Sequence, residues 1–162
     1  MKVILHDLGS EYEALIGSRC DRAIAADGKY APCQGCFGCW TKHPAECFMK
    51  DKLQQVCRVI GQADEMVIVT KNLYGEYSPA VKNVLDRAIG TSTPFSTYRG
   101  RQMHHTLRYG MKSLWKVIVY GEISDAEKET FRFRAERNAV NEGCERAEVL
   151  FLQDLSELEV AL

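Results

Sequence analysis

Two continuous apolar runs, Glu65-Met66-Val67-Ile68-Val69-Thr70 and Leu114 to Tyr120, each stand shortly before a segment with strong helix-start chemistry. A strand that is apolar at successive rather than alternate positions has to be covered on both faces, as in a parallel sheet. After the first run Ser78 reads as a helix cap with Pro79 at the first helical position. Val81, Val84, Leu85 and Ala88 lie on one face of that helix and Gly90 just past its end. After the second run Ser124-Asp125-Ala126-Glu127 reads as a capping box, opening a helix expected to reach about Glu142 before Gly143. Lys2 to His6, the weaker Arg22 to Ala26 and Glu148 to Leu152 complete a set of five strands. Between the second and third, Leu53, Val56, Cys57 and Ile60 recur at helical spacing, and Asp51 with Gln54 resembles a capping box. Strands alternating with helices in this way are βαβ units joined by right-handed crossovers.

Five such strands fit an α/β, flavodoxin-like three-layer sandwich with a parallel sheet of order 2-1-3-4-5. Ligands of such sheets bind beyond the carboxyl ends of the strands, where the order reverses. Here that rim is Asp7 to Tyr12, Lys71 to Ser78 and Gly121 to Ser124. The 162 residues, 46% hydrophobic and 27% charged, suit a single domain, 1–162. Two stretches exceed a minimal version of the fold: a cysteine-rich insert at about 32–50 and a long connection at about 91–113. With 21 basic and 22 acidic residues the net charge is −1, so no global field attracts nucleic acid or an anionic membrane. No apolar run approaches the roughly 20 residues that span a bilayer, and a cytoplasmic location is expected.

Cys33, Cys36, Cys39 and Cys47, four of seven cysteines, crowd one loop. Soft sulfur at two-residue spacing with intervening glycines suits an iron-sulfur cluster or zinc; the other reading is that small apolar cysteines simply pack a loop. His43 lies inside the same loop as a further zinc ligand or an exposed histidine, while Cys20, Cys57 and Cys144 stand alone and read as packing residues. His6 reads as a hydrogen-bonded core histidine rather than a base. No serine has a hydrolase setting, and no catalytic acid or base stands out.

The Cys-x2-Cys-x2-Cys-x7-Cys insert, with Asn72-Leu73-Tyr74-Gly75-Glu76-Tyr77-Ser78 and Leu85-Asp86-Arg87 downstream, resembles the NADPH-dependent FMN reductases and iron-sulfur flavoproteins over most of the domain. The resemblance implies an oxidoreductase or electron-transfer protein that carries FMN at the switch point and forms dimers or tetramers. In some members a [4Fe-4S] cluster rests on cysteines matching Cys33, Cys36, Cys39 and Cys47. It places Tyr74 to Ser78 beside the isoalloxazine ring, so Asn72, Tyr74, Gly75, Tyr77 and Ser78 become candidate cofactor residues, with Gly9 and Ser10 at the phosphate.

The sequence departs from that family at the phosphate. Asp7-Leu8-Gly9-Ser10-Glu11-Tyr12-Glu13 is short and acidic where free amides at a helix N-terminus would bind an anion. Gly9-Ser10 also reads as a plain turn and cap, and too few residues remain before the second strand for a first helix of more than one or two turns. The connection at 91–113 carries Arg99, Arg101, His104, His105, Arg108 and Lys112 among Phe95, Tyr98 and Tyr109. Those residues suit a nucleotide or a subunit contact, and a homodimer is expected with this loop in its interface. A nicotinamide nucleotide or redox protein is the expected electron partner. The competing reading is a flavin-less member acting as a metal-binding or protein-interaction module through its cysteine insert.

Overall fold

The computed structural model describes residues 1–162. In chain order the elements are β1 (Lys2–His6), α1 (Glu13–Ser18), β2 (Arg22–Ala25), α2 (Val56–Gly61), β3 (Glu65–Lys71), α3 (Pro79–Arg87), β4 (Ser92–Arg99), β5 (Gln102–Leu107), β6 (Lys112–Tyr120), α4 (Asp125–Glu142), β7 (Cys144–Phe151) and α5 (Leu158–Ala161). Five strands form one parallel sheet in the order β2-β1-β3-β6-β7. Counting only these five, that is the expected 2-1-3-4-5 order of a flavodoxin-like fold.

Alternation along the strands sorts side chains into two cores. Val3, Leu5, Met66, Ile68, Trp115 and Val117 pack with residues of α2, α3 and α4. Ile4, Val67, Val69 and Ile118 face the opposite side, against Ile16 of α1 and Leu158 of α5. Burial on both faces explains why β3 and β6 read as unbroken apolar runs. The Ser78 hydroxyl accepts from Val81 N at the start of α3, and Ser124 with Glu127 forms both hydrogen bonds of its capping box. Gly143 ends α4 in the left-handed region at φ 70°, which glycine enters without steric cost.

Three expectations are corrected. The last strand starts at Cys144, four residues before Glu148, because its outer half pairs with β6 from Lys112 onward. The helix expected from Asp51 is regular only over α2. Asp51 does cap Leu53 N (3.0 Å), but its carboxylate also receives Ala31 N (3.1 Å) and the buried Arg87 guanidinium (2.5 and 2.8 Å), while the Gln54 side chain turns to Glu46. One ion pair thus anchors the cysteine loop to α3, and side-chain demand at Asp51 overrides the local capping pattern.

The long connection is the antiparallel hairpin β4–β5, turned at Gly100. It stands at the amino-terminal end of the sheet, where Arg99 donates to the Asn141 carbonyl (2.9 Å) and Arg108 to those of Gly90 and Ser92 (3.1 and 3.4 Å). Tyr109 packs on Gly61. These groups are therefore engaged in holding the hairpin, while Phe95, Tyr98 and Met103 are 66–75% exposed.

Candidate functional site

Three loops meet at the carboxyl ends of β1, β3 and β6, and Asp7 joins them. Its carboxylate accepts from Lys71 N (3.0 Å) and from the Tyr120 hydroxyl (3.1 Å), with the Thr70 hydroxyl at 3.3 Å. Burial, reinforced by the Asp7 charge, raises the Tyr120 phenol well above its ordinary value and keeps it a proton donor. Asp7 is therefore a structural tie across three strands.

The loop after β3 is a tight, well-anchored turn. Leu73 and Glu76 exchange backbone hydrogen bonds (3.0 and 3.1 Å) around Tyr74 and Gly75, both with positive φ of 54° and 76°. That is the conformation of a type I′ turn, in which glycine is common and tyrosine is not. The Asn72 amide fixes the turn from both sides, donating to the Glu122 carbonyl (2.8 Å) and accepting from Gly75 N (3.0 Å). Gly75 fits beneath the first turns of α4, where a Cβ would stand 3.1 Å from Glu127 O and from the Thr130 side chain. The result is a Tyr74 ring 85% exposed on the rim, held in a backbone region where a bulky residue is strained.

Of the other candidates here, Tyr77 faces away from the rim. It is buried, and its hydroxyl lies within hydrogen-bond reach of Trp115 Nε1 (3.4 Å) and Asn138 Nδ2 (3.2 Å). Ser78 is occupied at the α3 cap while its N–H donates to the Thr70 hydroxyl (2.9 Å). Asn72, Tyr74 and Gly75 are thus brought together at the crevice, and Tyr77 and Ser78 support them from behind.

The loop after β1 has a different character. A single turn of 3-10 helix, Ser10–Tyr12, leads into the six residues of α1, and neither has a side-chain cap. The Glu11 carboxylate folds back onto Gly9, so close that a Cβ there would lie 2.7 Å from its Cδ. An FMN phosphate would meet this carboxylate, with Glu13 exposed beside it, instead of free amides at the start of a longer helix. Gly9 and Ser10 do not fit a phosphate in this arrangement.

The four clustered cysteines line one small cavity of about 20 Å³ together with Phe37 and Arg87. They do not converge on one centre, and nowhere in the chain do three His, Cys, Asp or Glu side chains gather to hold a metal ion. Cys33 and Cys36 are exposed, and Cys39 turns toward Cys57. The neighbouring Cys57 thiol lowers the Cys39 thiol below its ordinary value, and that same neighbour with burial pushes Cys57 up. The donor set expected for a cluster or zinc is not assembled by this loop conformation.

A cavity of about 420 Å³ lies between α3 and α4 and was not anticipated from sequence. Trp115 and Tyr77 line it, and Phe37, Trp40 and His105 border it as a series of mutually tilted rings with centroid separations of 5.1 and 4.7 Å. Glu76 bridges its walls, pairing with Lys82 of α3 (3.4 Å) and Arg134 of α4 (2.7 Å). Its lining residues are scattered between positions 37 and 142, with no common spacing to announce them.

Sheet order and rim define a flavodoxin-like α/β protein with its crevice at the switch point. Residues 25–106, half of the chain, match the NADPH-dependent FMN reductase family, and the chain belongs to that family. The match begins after the acidic loop. Among solved structures, the chain is similar to an FMN-dependent NADH-azoreductase from Bacillus anthracis in complex with FMN, with a TM-score of 0.58 and 12% identity over 99% of this chain and 92% of that one. It is also similar to an NADH:FMN oxidoreductase in its apo form, with a TM-score of 0.51 and 14% identity over 99% and 84% of the two chains. At such identities the likeness establishes the fold. A search among curated proteins finds no sequence match. No helix is long and apolar enough to cross a membrane.

Proposed function

We propose that this protein is a flavin oxidoreductase that meets its flavin as an exchanging reactant at the strand-end crevice, with a nicotinamide nucleotide or a redox protein as electron partner. The observation that carries this reading is Tyr74. Its strained backbone and exposed ring are maintained by Asn72 and Gly75 at the rim where the fold places ligands. A bound flavin would supply two-electron chemistry; the chain would present an aromatic face at Tyr74. Glu11 over Gly9 disfavours retention of FMN by its phosphate.

The test is oxidation of NADPH and NADH by protein purified without added flavin. Turnover that appears only on addition of FMN or riboflavin, and saturates with it, supports the reading. A specific observation, the closed phosphate loop, also favours a second reading, a flavin-less module acting through its cysteine insert. Absence of turnover with either flavin, together with no flavin binding, selects that module.

The reading includes a homodimer joined through the β4–β5 hairpin. Its support is the exposure of Phe95, Tyr98 and Met103 on one ribbon, aromatic and methionine residues being enriched in interfaces. Replacing Phe95 and Tyr98 by Ser is expected to shift the protein from dimer to monomer in sedimentation velocity. A natural protein that is monomeric at tens of micromolar removes this element.

A further inference from the structure

We propose that Cys39 and Cys57 form a redox pair, oxidised by a peroxide to an intrachain disulfide that ties the cysteine loop to α2. Both side chains close on Gly90. Where that residue's Cβ would stand, Cys57 Sγ is 2.9 Å away and Cys39 Cβ 3.1 Å. Both cysteines are free, and they approach one another at this glycine. A side chain at position 90 would press on Cys57 Sγ and on Cys39, so glycine there lets the two residues approach.

The two cysteines differ in access, and this fixes the order of events. Cys57 is fully buried on α2, its thiol donating to the Arg87 carbonyl (3.2 Å), and so is not the first to meet an oxidant. Cys39 is partly exposed and lines the 20 Å³ cavity beneath the loop, a space about the size of one water-sized molecule. A peroxide entering from this side reaches the Cys39 sulfur. That sulfur attacks one peroxide oxygen and the O–O bond breaks, giving a sulfenic acid on Cys39 and one water from hydrogen peroxide. The Cys57 sulfur then attacks the Cys39 sulfur. The S–S bond forms, the S–O bond breaks, and the hydroxyl leaves as a second water with the remaining thiol proton. Two thiols are oxidised and one peroxide is reduced.

The bond would act on the large cavity. Cys39 directly precedes Trp40, whose indole N–H donates to the Ile89 carbonyl (2.8 Å) and whose ring packs at a tilt between Phe37 and His105 at the edge of the α3–α4 cavity. A covalent tie at Cys39 therefore fixes this aromatic border. The inference does not rest on flavin chemistry.

The experiment is treatment of the reduced full chain with stoichiometric hydrogen peroxide, blocking of remaining thiols, trypsin digestion without reductant, and mass spectrometry. The expected product is the peptide Tyr30–Lys42, blocked at Cys33 and Cys36, joined to Leu53–Arg58, two hydrogens lighter than the sum of that doubly blocked peptide and the reduced second peptide. Fragmentation should place the bond at Cys39. Cys39→Ser should lose this product, while Cys33→Ser and Cys36→Ser keep it, with Cys57→Ala as a second variant at the buried partner. A bond from Cys57 to Cys33 or Cys36, bonds confined to Cys33, Cys36, Cys39 and Cys47, or oxidation of Cys39 to a sulfinate with Cys57 still free would each overturn the proposal.

Discussion

The loop after β1 and the turn after β3 share one rim and are tied to one another through Asp7, yet they are built on opposite principles. The β3 turn holds a costly conformation with dedicated anchors, the Asn72 amide on two partners and Gly75 beneath α4. The β1 loop holds a short, uncapped turn with its own carboxylate folded onto the place an anion would take. One side of the crevice keeps a platform for a flat ring, and the other lacks the amides and positive potential that a phosphate requires. Affinity for the ring and affinity for the phosphate are therefore separable in this chain.

The most damaging way to erase the contrast is to dismantle the ordered side. Asn72→Ala removes both anchors and leaves Gly75 N and Glu122 O without their partner, an expected loss of about 2 kcal/mol in urea denaturation with a marked fall in flavin affinity. Gly75→Ala should cost about 1.5 kcal/mol, since it places a Cβ both in the left-handed region and against Glu127 O. The contrast can also be closed from the other side. Replacing Glu11 and Glu13 by Gln should tighten FMN binding by about 1 kcal/mol, several-fold in Kd, and leave riboflavin unchanged in a parallel calorimetric titration. The smallest expected change is the most diagnostic of role. Tyr74→Gly relieves the backbone and should raise stability by about 0.5 kcal/mol, while flavin affinity falls. A stabilised variant with undiminished flavin binding would remove Tyr74 from the site.

The sheet was legible because its signals are local and redundant. The unbroken runs of β3 and β6 encode burial on two faces, and Ser78-Pro79 and Ser124 to Glu127 encode helix starts. The acidic character of the β1 loop was legible as composition, while the folding back of Glu11 onto Gly9 depends on side-chain geometry. The hairpin was missed although Ser92 to Arg99 is rich in strand-favouring residues and Gly100 supplies a turn. The basic and aromatic content of that segment suggested a nucleotide or a subunit contact, and the structure spends Arg99 and Arg108 on backbone carbonyls. The inward turn of Tyr77 was signalled by nothing local, and helical spacing placed Cys57 in the core but not beside Cys39. One faces the core and the other meets Cys39 only because α2, the cysteine loop and the end of α3 converge at Gly90.

The central claim, a rim that retains its ring platform but not its phosphate site, is tested most directly by titrating the natural protein with FMN and with riboflavin in parallel by calorimetry. The two dissociation constants are predicted to lie within a few-fold of one another and above the micromolar range. Sub-micromolar FMN binding with riboflavin far weaker would show that the phosphate is held after all, and would contradict the account.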